Sequence, residues 1–411
     1  MKEHQSVALI GGGVIGASCA LALAREGYRV TVLEKGNVGH GCSWGNGAQF
    51  NAGSSLPLAY PGVVRQAIKW VVKANGPVRI APREFARVLP WLIRFLNTGR
   101  LRKWEAAYDG LHALNSQCAA LYREMLGEPD WNRHFRMNGA MHVFRDELAG
   151  PLDEIVDAMR LEKGVRFERI TGQDVRELEP KLSRDYRRGI FFPDSGHVVS
   201  PVGLVEGLMQ RANALGSKVQ KATVFAVEPG SSTVTLQTSL GAQAFDYVVV
   251  AAGIASRDLA RSLEVCLPLA SERGYHVTMK GVANAISRPV TDAASAFVAT
   301  PLIEGLRVVG IAEFEAPDVL PDPRQSRKLQ VSARTMLPDI PLGEMRDWVG
   351  VRPSTPDSLP LIDRHPRHPS VFFATGHGHM GISGAPMTAA LISDLIAARV
   401  PRIRIAPYRL R

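Results

Sequence analysis

The sequence predicts an α/β fold in which a doubly wound domain is interrupted by a second, sheet-based domain. Three observations predict it. A strand, a glycine-rich turn, a helix and a second strand open the chain. Helices and strands alternate at both ends, while the middle is strand-rich. A second glycine-rich turn leads into the final helix.

Ser6–Ile10 is a short apolar run ending in glycines, which reads as a buried parallel strand. Val14–Arg25 has helical spacing, with Gly27 as its stop. Tyr28–Glu34 is apolar and β-branched, the second strand of a βαβ unit. The uncharged stretch Val7–Ala24 approaches the length of a membrane span. Its glycines and its charged flanks favour a buried strand, turn and helix instead. Residues 36–55 are rich in Gly, Ser and Asn and form a loop. Val63–Leu126 reads as mainly helical. Strands are expected at Gly139–Phe144, from Ile190, at Lys218–Val227, Thr233–Gln237, Phe245–Ala251, Tyr275–Met279, Ala296–Ala299, Leu306–Ile311 and Val371–Ala374. Helices are expected at Leu152–Glu162, Pro201–Leu215, Ser326–Met336 and from about Pro386 to Ala398.

The chain has 411 residues, enough for two or three domains or one interleaved pair. Composition is globular, with 45% hydrophobic and 21% charged residues, which excludes a disordered or fibrous chain. Lys+Arg minus Asp+Glu is 49 − 39 = +10, which permits contact with an anionic surface. The cysteines at 19, 42, 118 and 266 form no CxxC pair and no metal-ligand spacing, so no metal site is expected and a reducing, cytoplasmic setting is.

Gly11-x-Gly13-x-x-Gly16, with Val14 and Ile15 between, sits between strand and helix. The first glycine allows the tight turn, the second lets a pyrophosphate approach, and the third lets helix pack on strand. Glu34 ends the next strand, 34 − 11 = 23 positions on, followed by Lys35. A carboxylate there accepts ribose hydroxyls and repels a 2′-phosphate. The competing reading is a core turn beside an exposed Glu. Val248–Gly253, a buried strand ending at Ala252 and Gly253, suits backbone packed beside an adenosine. Thr375–Gly381, with Gly376, His377, Gly378, His379 and Met380, provides a second glycine-rich helix start. Together these favour FAD over NAD.

These motifs carry a resemblance. ValAlaLeuIleGlyGlyGlyValIleGly at the start, Trp348 to Asp357 with Arg352, and Gly376–Gly381 resemble the glycine oxidase and D-amino-acid dehydrogenase group of FAD-dependent amine oxidoreductases. Tyr60–Val64, Ala67–Trp70 and Arg273-Gly274-Tyr275 are similar to the bacterial D-amino-acid dehydrogenases. The likeness covers nearly the whole chain. It implies a discontinuous Rossmann-type FAD domain (1–85, 196–266 and 343–411) interleaved with a substrate domain (86–195 and 267–342). It implies oxidative deamination of a D-amino acid, by hydride transfer from the substrate Cα to flavin N5. A lean toward cyclic substrates such as D-proline or cis-4-hydroxy-D-proline comes from the same likeness, and a quinone-type acceptor from the dehydrogenase group. Some relatives attach FAD through a His just after the Trp of the second loop, or through a Cys near the C-terminus. Here Gly45 follows Trp44 and no cysteine lies beyond Cys266, so noncovalent FAD is expected. Two other functions compete: an oxygen-using oxidase of glycine or an N-methyl amine, and a noncatalytic flavoprotein subunit.

The resemblance makes Arg352 the clamp for a substrate carboxylate, since a guanidinium matches it bidentately. Tyr275 is expected to donate to the same carboxylate; the alternative is an aromatic packed on a strand. His377 and His379 flank Gly378 beside the expected flavin. Either could bond the flavin or receive the amine proton, and His379 is favoured. Ser43, Trp44, Gly47, Ala48 and Gln49 should lie along the flavin. Arginines crowd residues 83–103 among Trp91, Phe95 and Trp104, and crowd the C-terminus again. This is either a basic amphipathic surface on anionic lipid, on the inner face of a membrane, or a solvated face. No motif supports nucleic-acid binding.

Overall fold

The computed structural model describes residues 5–50, 55–63 and 76–411. Ala67–Trp70 and Val64 therefore lie outside the described residues. The chain opens with β1 (Ser6–Ile10), α1 (Val14–Arg25) and β2 (Arg29–Glu34). Helices α2 (Phe85–Thr98), α3 (Leu101–Asn115) and α4 (Cys118–His134) come next. After several short strands and the helical segments Pro151–Glu162 and Gly172–Leu178 follow α5 (Pro201–Ala214), β3 (Lys218–Lys221) and β4 (Tyr247–Val250). Then come β5 (Ala270–Met279), β6 (Phe297–Leu302), β7 (Gly305–Phe314), α6 (Pro323–Met336) and β8 (Met345–Ser354). The chain closes with β9 (Leu361–Arg364), β10 (Val371–Thr375) and α7 (Gly381–Ile396).

The first sheet runs β3-β2-β1-β4-β10-β9. All its pairs are parallel except β9 with β10. Its central strands β1, β4 and β10 are near-continuous apolar runs because both faces are covered, while the edge strand β3, Lys-Val-Gln-Lys, is largely exposed. On one face Leu9 and Val32 share a core with Leu21 of α1 and Leu391 of α7. On the other, Ala8 and Val250 meet Val227 and Leu236 of a small antiparallel sheet.

The second sheet has nine strands. β8, β5, β7 and β6 lie side by side, followed by strands at 290–292, 140–144, 188–192 and 168–171; a strand at 78–80 pairs with the end of β7. One face packs Tyr275, Val277 and Val308 against Leu329, Ala333 and Met336 of α6. The opposite face looks toward the glycine-rich turns.

Several expectations are corrected. The strand expected at Lys218–Val227 is two, 218–221 in the first sheet and 224–229 in the small one. The strand expected at Phe245–Ala251 breaks at Asp246, whose carboxylate accepts from Ser6 N at 2.6 Å and Ser6 Oγ at 2.8 Å. The boundaries at 85 and 343 do not follow the sheets: residues 78–80 and β8 both belong to the second sheet. Leu111 and Tyr122 of α3 and α4, placed in the substrate domain by sequence, are buried with α1 and α7. The last helix starts at Gly381, not near Pro386. Proline leaves the Ile382 carbonyl without its helical donor, and Tyr122 Oη donates to it at 2.8 Å.

Candidate active site

Two glycine-rich helix starts meet at the ends of β1 and β10. Gly11 adopts φ +111°, and a Cβ there would stand 2.5 Å from the Ala251 carbonyl oxygen. A Cβ on Gly16 would stand 1.9 Å from the Gly11 carbonyl oxygen, so helix and strand are in direct backbone contact. Gly13 precedes α1 and supplies no side-chain cap. Val14 N donates to Ser43 Oγ at 3.0 Å, and Ile15 packs against the core below. The Glu34 carboxylate accepts from Gly12 N at 2.7 Å and Gly36 N at 2.8 Å, which fixes it beside the turn. Lys35 is exposed. Ala252 and Gly253 follow β4, and Thr375 Oγ1 donates to the Gly253 carbonyl at 3.0 Å. Gly376 and Gly378 both have positive φ, and Met380 precedes α7 without a side-chain cap. Gly381 stands beside Val14, so the two helix starts are neighbours.

The loop from Ser43 to Gln49 joins this corner to the second sheet. Thr300 Oγ1 donates to the Gly47 carbonyl at 2.7 Å, and Arg307 Nη1 to the Asn46 carbonyl at 3.0 Å. His276 Nδ1 lies 3.3 Å from the Gly45 carbonyl, so Nδ1 carries the proton. Burial lowers His276 to about 3, so the ring is neutral. Trp44 meets Trp348 edge to face, and His276 stacks on Trp348 at 5.0 Å. A Cβ on Gly45 would fall 1.7 Å from the Trp348 ring, so this position accepts no side chain. Ala48 is fully buried with φ +59°, and Gln49 pairs with His197 in a short ladder.

The second sheet brings Arg352 to the same face. The β5–β8 register sets Glu272 opposite Arg352 and Gly274 opposite Gly350. Arg352 lies flat over Gly274, where a Cβ would touch its guanidinium carbon at 2.1 Å. Its Nη1 donates to Glu272 Oε1 at 2.9 Å and to the Ile311 carbonyl at 3.0 Å. The Nε and Nη2 edge has no hydrogen-bond partner among the described residues. Glu272 Oε1 also accepts from His379 Nε2 at 2.7 Å, and Oε2 from Ser354 Oγ at 2.6 Å. Burial alone would raise the Glu272 carboxyl; His379, Arg352 and Ser354 outweigh it and hold the group well below the usual carboxylate range. A small cleft opens beside this cluster, lined by Leu56, Leu58, Ser354, His377 and His379 among others.

Two sequence expectations change. Tyr275 is one residue out of phase with Glu272 and His276, so its side chain enters the opposite core. Its hydroxyl donates to Glu313 and receives Asp322 N at 3.4 Å. It does not join Arg352. His377 is buried and bonds Thr388 Oγ1 of α7 at 2.8 Å; burial lowers it to about 3, so it is neutral and its role as amine-proton acceptor falls away. Glu272, His276 and Arg307 were not singled out by sequence, and Trp348 and Ser354 entered only as part of the motif around Arg352. A lone acid next to Arg273-Gly274 was the available signal for Glu272.

Cradle and donor set fit FAD. The α1 start can face a pyrophosphate, Glu34 a ribose, and the Ser43–Gln49 loop and Gly376–Gly381 turn a flavin. Cys42 is no ready nucleophile, since burial pushes its thiol up to about 11.

Comparison with known proteins agrees. Residues 6–395 match the family model described as FAD dependent oxidoreductase. The chain is 30% identical to a D-amino-acid oxidase of Bradyrhizobium diazoefficiens, covering 99% of each chain. It is 29% identical to D-amino acid dehydrogenase 2 of Ralstonia nicotianae, covering 98% of this chain and 99% of that one. Its fold matches glycine oxidase from Geobacillus kaustophilus with a TM-score of 0.73 at 22% identity, over 100% and 99% of the two chains. L-proline dehydrogenase from P. horikoshii gives 0.72 at 18% identity over 100% of each. The chain is a member of the FAD-dependent oxidoreductase family typified by D-amino-acid oxidase, a flavoenzyme whose cofactor is FAD.

Proposed function

We propose that the protein oxidises D-amino acids, with Arg352 as carboxylate clamp and His379 as acceptor of the amine proton. The observation that carries this is the open Nε–Nη2 edge of Arg352, beside a histidine held by the carboxylate that anchors the arginine. A guanidinium edge makes two parallel bonds to a carboxylate. Glu272 keeps the other edge occupied, so the substrate binds in one orientation. Glu272 accepts from His379 Nε2, so the ring nitrogen left to take a proton is Nδ1, which has no hydrogen-bond partner among the described residues. That nitrogen suits removal of an amine proton. FAD, when bound, supplies the two-electron acceptor for the Cα hydride. The substrate loses one hydride and one proton, and the imine product hydrolyses to a keto acid or persists if cyclic.

Trp348 over Gly45 supports noncovalent FAD, since no side chain fits at 45 to form a link. Acid should release all flavin from the protein; flavin left on the denatured chain overturns this part. The matched relatives are named as a D-amino-acid oxidase and dehydrogenases, which supports the substrate class. A cyclic imino acid such as D-proline is the favoured member, and a quinone-type acceptor takes the electrons. A dye-linked assay against D- and L-amino acids, with oxygen consumption in parallel, tests the reading. Turnover of D-substrates with dye and little oxygen uptake is expected. Turnover confined to glycine or N-methyl amines, or no turnover by the FAD-loaded chain, overturns it.

A further inference from the structure

Three side chains of the second sheet clasp the Ser43–Gln49 loop by its carbonyls. The strand registers set Thr278 and Thr300 opposite Arg307, and His276 opposite Val309. Arg307, Thr300 and His276 therefore leave the same face of the sheet. Arg307 Nη1 donates to the carbonyls of Trp44 and Asn46, His276 Nδ1 to that of Gly45, and Thr300 Oγ1 to that of Gly47. A Cβ on Gly47 would meet Val298 at 3.2 Å, so the loop rests directly on the sheet. Residues 41–46 run in turns, which send successive carbonyls the same way, as a helix does.

A trans peptide sets each N–H against the carbonyl before it. With carbonyls 44–47 turned to the sheet, the N–H groups of residues 45–48 point away from it. Two of these are used within the loop: Asn46 N donates to the Ser43 carbonyl at 3.3 Å, and Ala48 N to Asn46 Oδ1 at 2.8 Å. Gly45 N and Gly47 N have no hydrogen-bond partner among the described residues. Arg307 itself is fully buried, with Glu304 at 3.1 Å as its one ion-pair partner among the described residues. Its Nε is buried without a hydrogen-bond partner among them. A buried cation with an unmet N–H costs stability, and a neutral hydroxyl such as that of Thr300 ties down a loop without that cost.

We propose that Arg307 is a positioning residue for the flavin: by clasping the Trp44 and Asn46 carbonyls it turns Gly45 N–H and Gly47 N–H outward as fixed donors to the acceptor atoms of the isoalloxazine ring. The proposal rests on the reading that lays Ser43–Gln49 along the flavin. Arg307 stands behind the loop and acts only through it. Reduced flavin carries more negative charge on its ring acceptors than oxidised flavin does. Donors fixed in advance therefore hold the reduced form more tightly and raise the potential of the bound cofactor. The buried guanidinium adds positive charge on the same side, which works in the same direction.

The FAD-loaded, full-length protein should be diluted in steps while released FAD is read by its fluorescence, and its flavin potential measured against a reference dye. Arg307→Met should weaken FAD binding at least about tenfold and lower the potential, by about 30 mV for each tenfold by which reduced flavin is weakened more than oxidised. Thr300→Val removes one neutral hydrogen bond and should weaken binding about threefold, with a smaller fall in potential. Thr300→Ser keeps the hydroxyl and should restore both. Arg273→Met is the control, because it frees the Ala316 and Val319 carbonyls on the far side of the sheet. It should lower the melting temperature and leave FAD affinity and potential unchanged. The same pattern for Arg307→Met would make Arg307 scaffold alone and overturn the proposal. Where Arg307→Met does not fold, Thr300→Val decides, and unchanged affinity and potential there overturn it. Trp44→Phe separates the clasp from the reading beneath it. A flavin spectrum shifted by Trp44→Phe but by neither clasp variant leaves the loop beside the flavin and overturns the clasp. A spectrum shifted by none of the three moves the loop away from the flavin, and the proposal falls with it. No substrate enters these measurements, so their result is independent of which amino acid is oxidised.

Discussion

Arg273 and Arg352 stand on paired strands, one register step apart, and are used in opposite ways. Glu272 lies opposite Arg352 and Arg273 opposite Val351. Arg352 gives Nη1 to Glu272 and the Ile311 carbonyl, and its Nε and Nη2 have no hydrogen-bond partner among the described residues. Arg273 is 2% exposed and spends its Nη2 on the Ala316 and Val319 carbonyls, with Glu313 at 3.8 Å from Nη1. One arginine has an unfilled edge and the other has none. Strand pleating makes the difference: successive side chains leave opposite faces, so one residue of phase separates the site from the scaffold. Tyr275 follows Arg273 to the scaffold face, and His276 follows Glu272 to the site face.

The largest effect should fall on Arg352. Breaking a buried charged pair by removing one partner costs about 3–5 kcal/mol, and a charged hydrogen bond is worth about 1.5–3. Arg352→Ala should therefore lower kcat/KM by roughly two to four orders of magnitude, with flavin content unchanged. Arg352→Lys should recover only part, because an ammonium lacks the planar fork. Arg273→Ala should do the reverse, lowering the melting temperature while the folded fraction keeps kcat/KM within about threefold. Steady-state kinetics and melting curves on the two variants decide it. Equal kinetic losses at both positions would dissolve the contrast.

Glu272→Gln comes next. The amide can still accept from His379, but it carries no charge for Arg352. The loss should be about 10–100-fold, as for groups that orient a working side chain, and should divide between KM and kcat. Glu272→Asp should not restore it, since the shorter side chain cannot span Arg352, Ser354 and His379 together. A loss in melting temperature with unchanged kinetics would confine Glu272 to the scaffold.

Local features of this site were legible in the sequence and paired ones were not. Gly11, Gly16 and Glu34 belong to one βαβ unit whose contacts run between near neighbours, so spacing alone placed them. Arg352 came from a motif. Glu272 becomes a site residue only through the β5–β8 ladder, and Met345–Ser354 carries no strand signal. One face presents Trp348, Gly350, Arg352 and Ser354, a set without the β-branched alternation that marks a strand. Tyr275 looked attractive for its hydroxyl, but its face depends on a pleat phase that the short Tyr275–Met279 reading could not fix. The two sheets also interleave more finely than composition shows: residues 78–80 join the second sheet from within the stretch read as nucleotide-binding.

The contrast between site and scaffold extends to acid. Burial first, then nearby arginines where present, lowers His142, His276 and His377 to about 3 and His197 to about 4, against an ordinary 6.5. A base with a depressed folded pKa binds fewer protons than the unfolded chain below pH 6.5, so stability is full above that and falls as pH drops toward 3–4. Glu272 acts below it: its depressed carboxyl contributes stability above the ordinary carboxylate range that is lost on further acidification. Melting should therefore move down from pH 7 to 5, by of order 1 kcal/mol per pH unit for each fully buried histidine. His377→Gln, which keeps a donor for Thr388, should flatten that slope by one such share. An unchanged slope would mean that His377 is protonated in the fold.

The smallest effect is expected at Tyr275, where the contrast can be sharpened most finely. Its hydroxyl donates to Glu313, which is 1% exposed and also holds Arg79 and Arg273. Burial, then Glu313, pushes the phenol up to about 12, so it remains a donor at any working pH. Tyr275→Phe removes one hydrogen bond to a charged group, worth about 1.5–3 kcal/mol where nothing compensates. The two arginines that remain on Glu313 compensate in part, so the loss of stability should be near 1 kcal/mol. The ring stays packed among Val277, Leu329 and Ala333, so no cavity opens. Because the hydroxyl sits on the far side of the sheet from Arg352, KM for the amino acid and kcat should both remain within about twofold of the parent. A hydroxyl that bonded the substrate carboxylate would, on removal, raise KM about tenfold or more without a comparable fall in melting temperature. Measuring both quantities on this one variant separates the two faces of β5, because each assigns the loss to a different one.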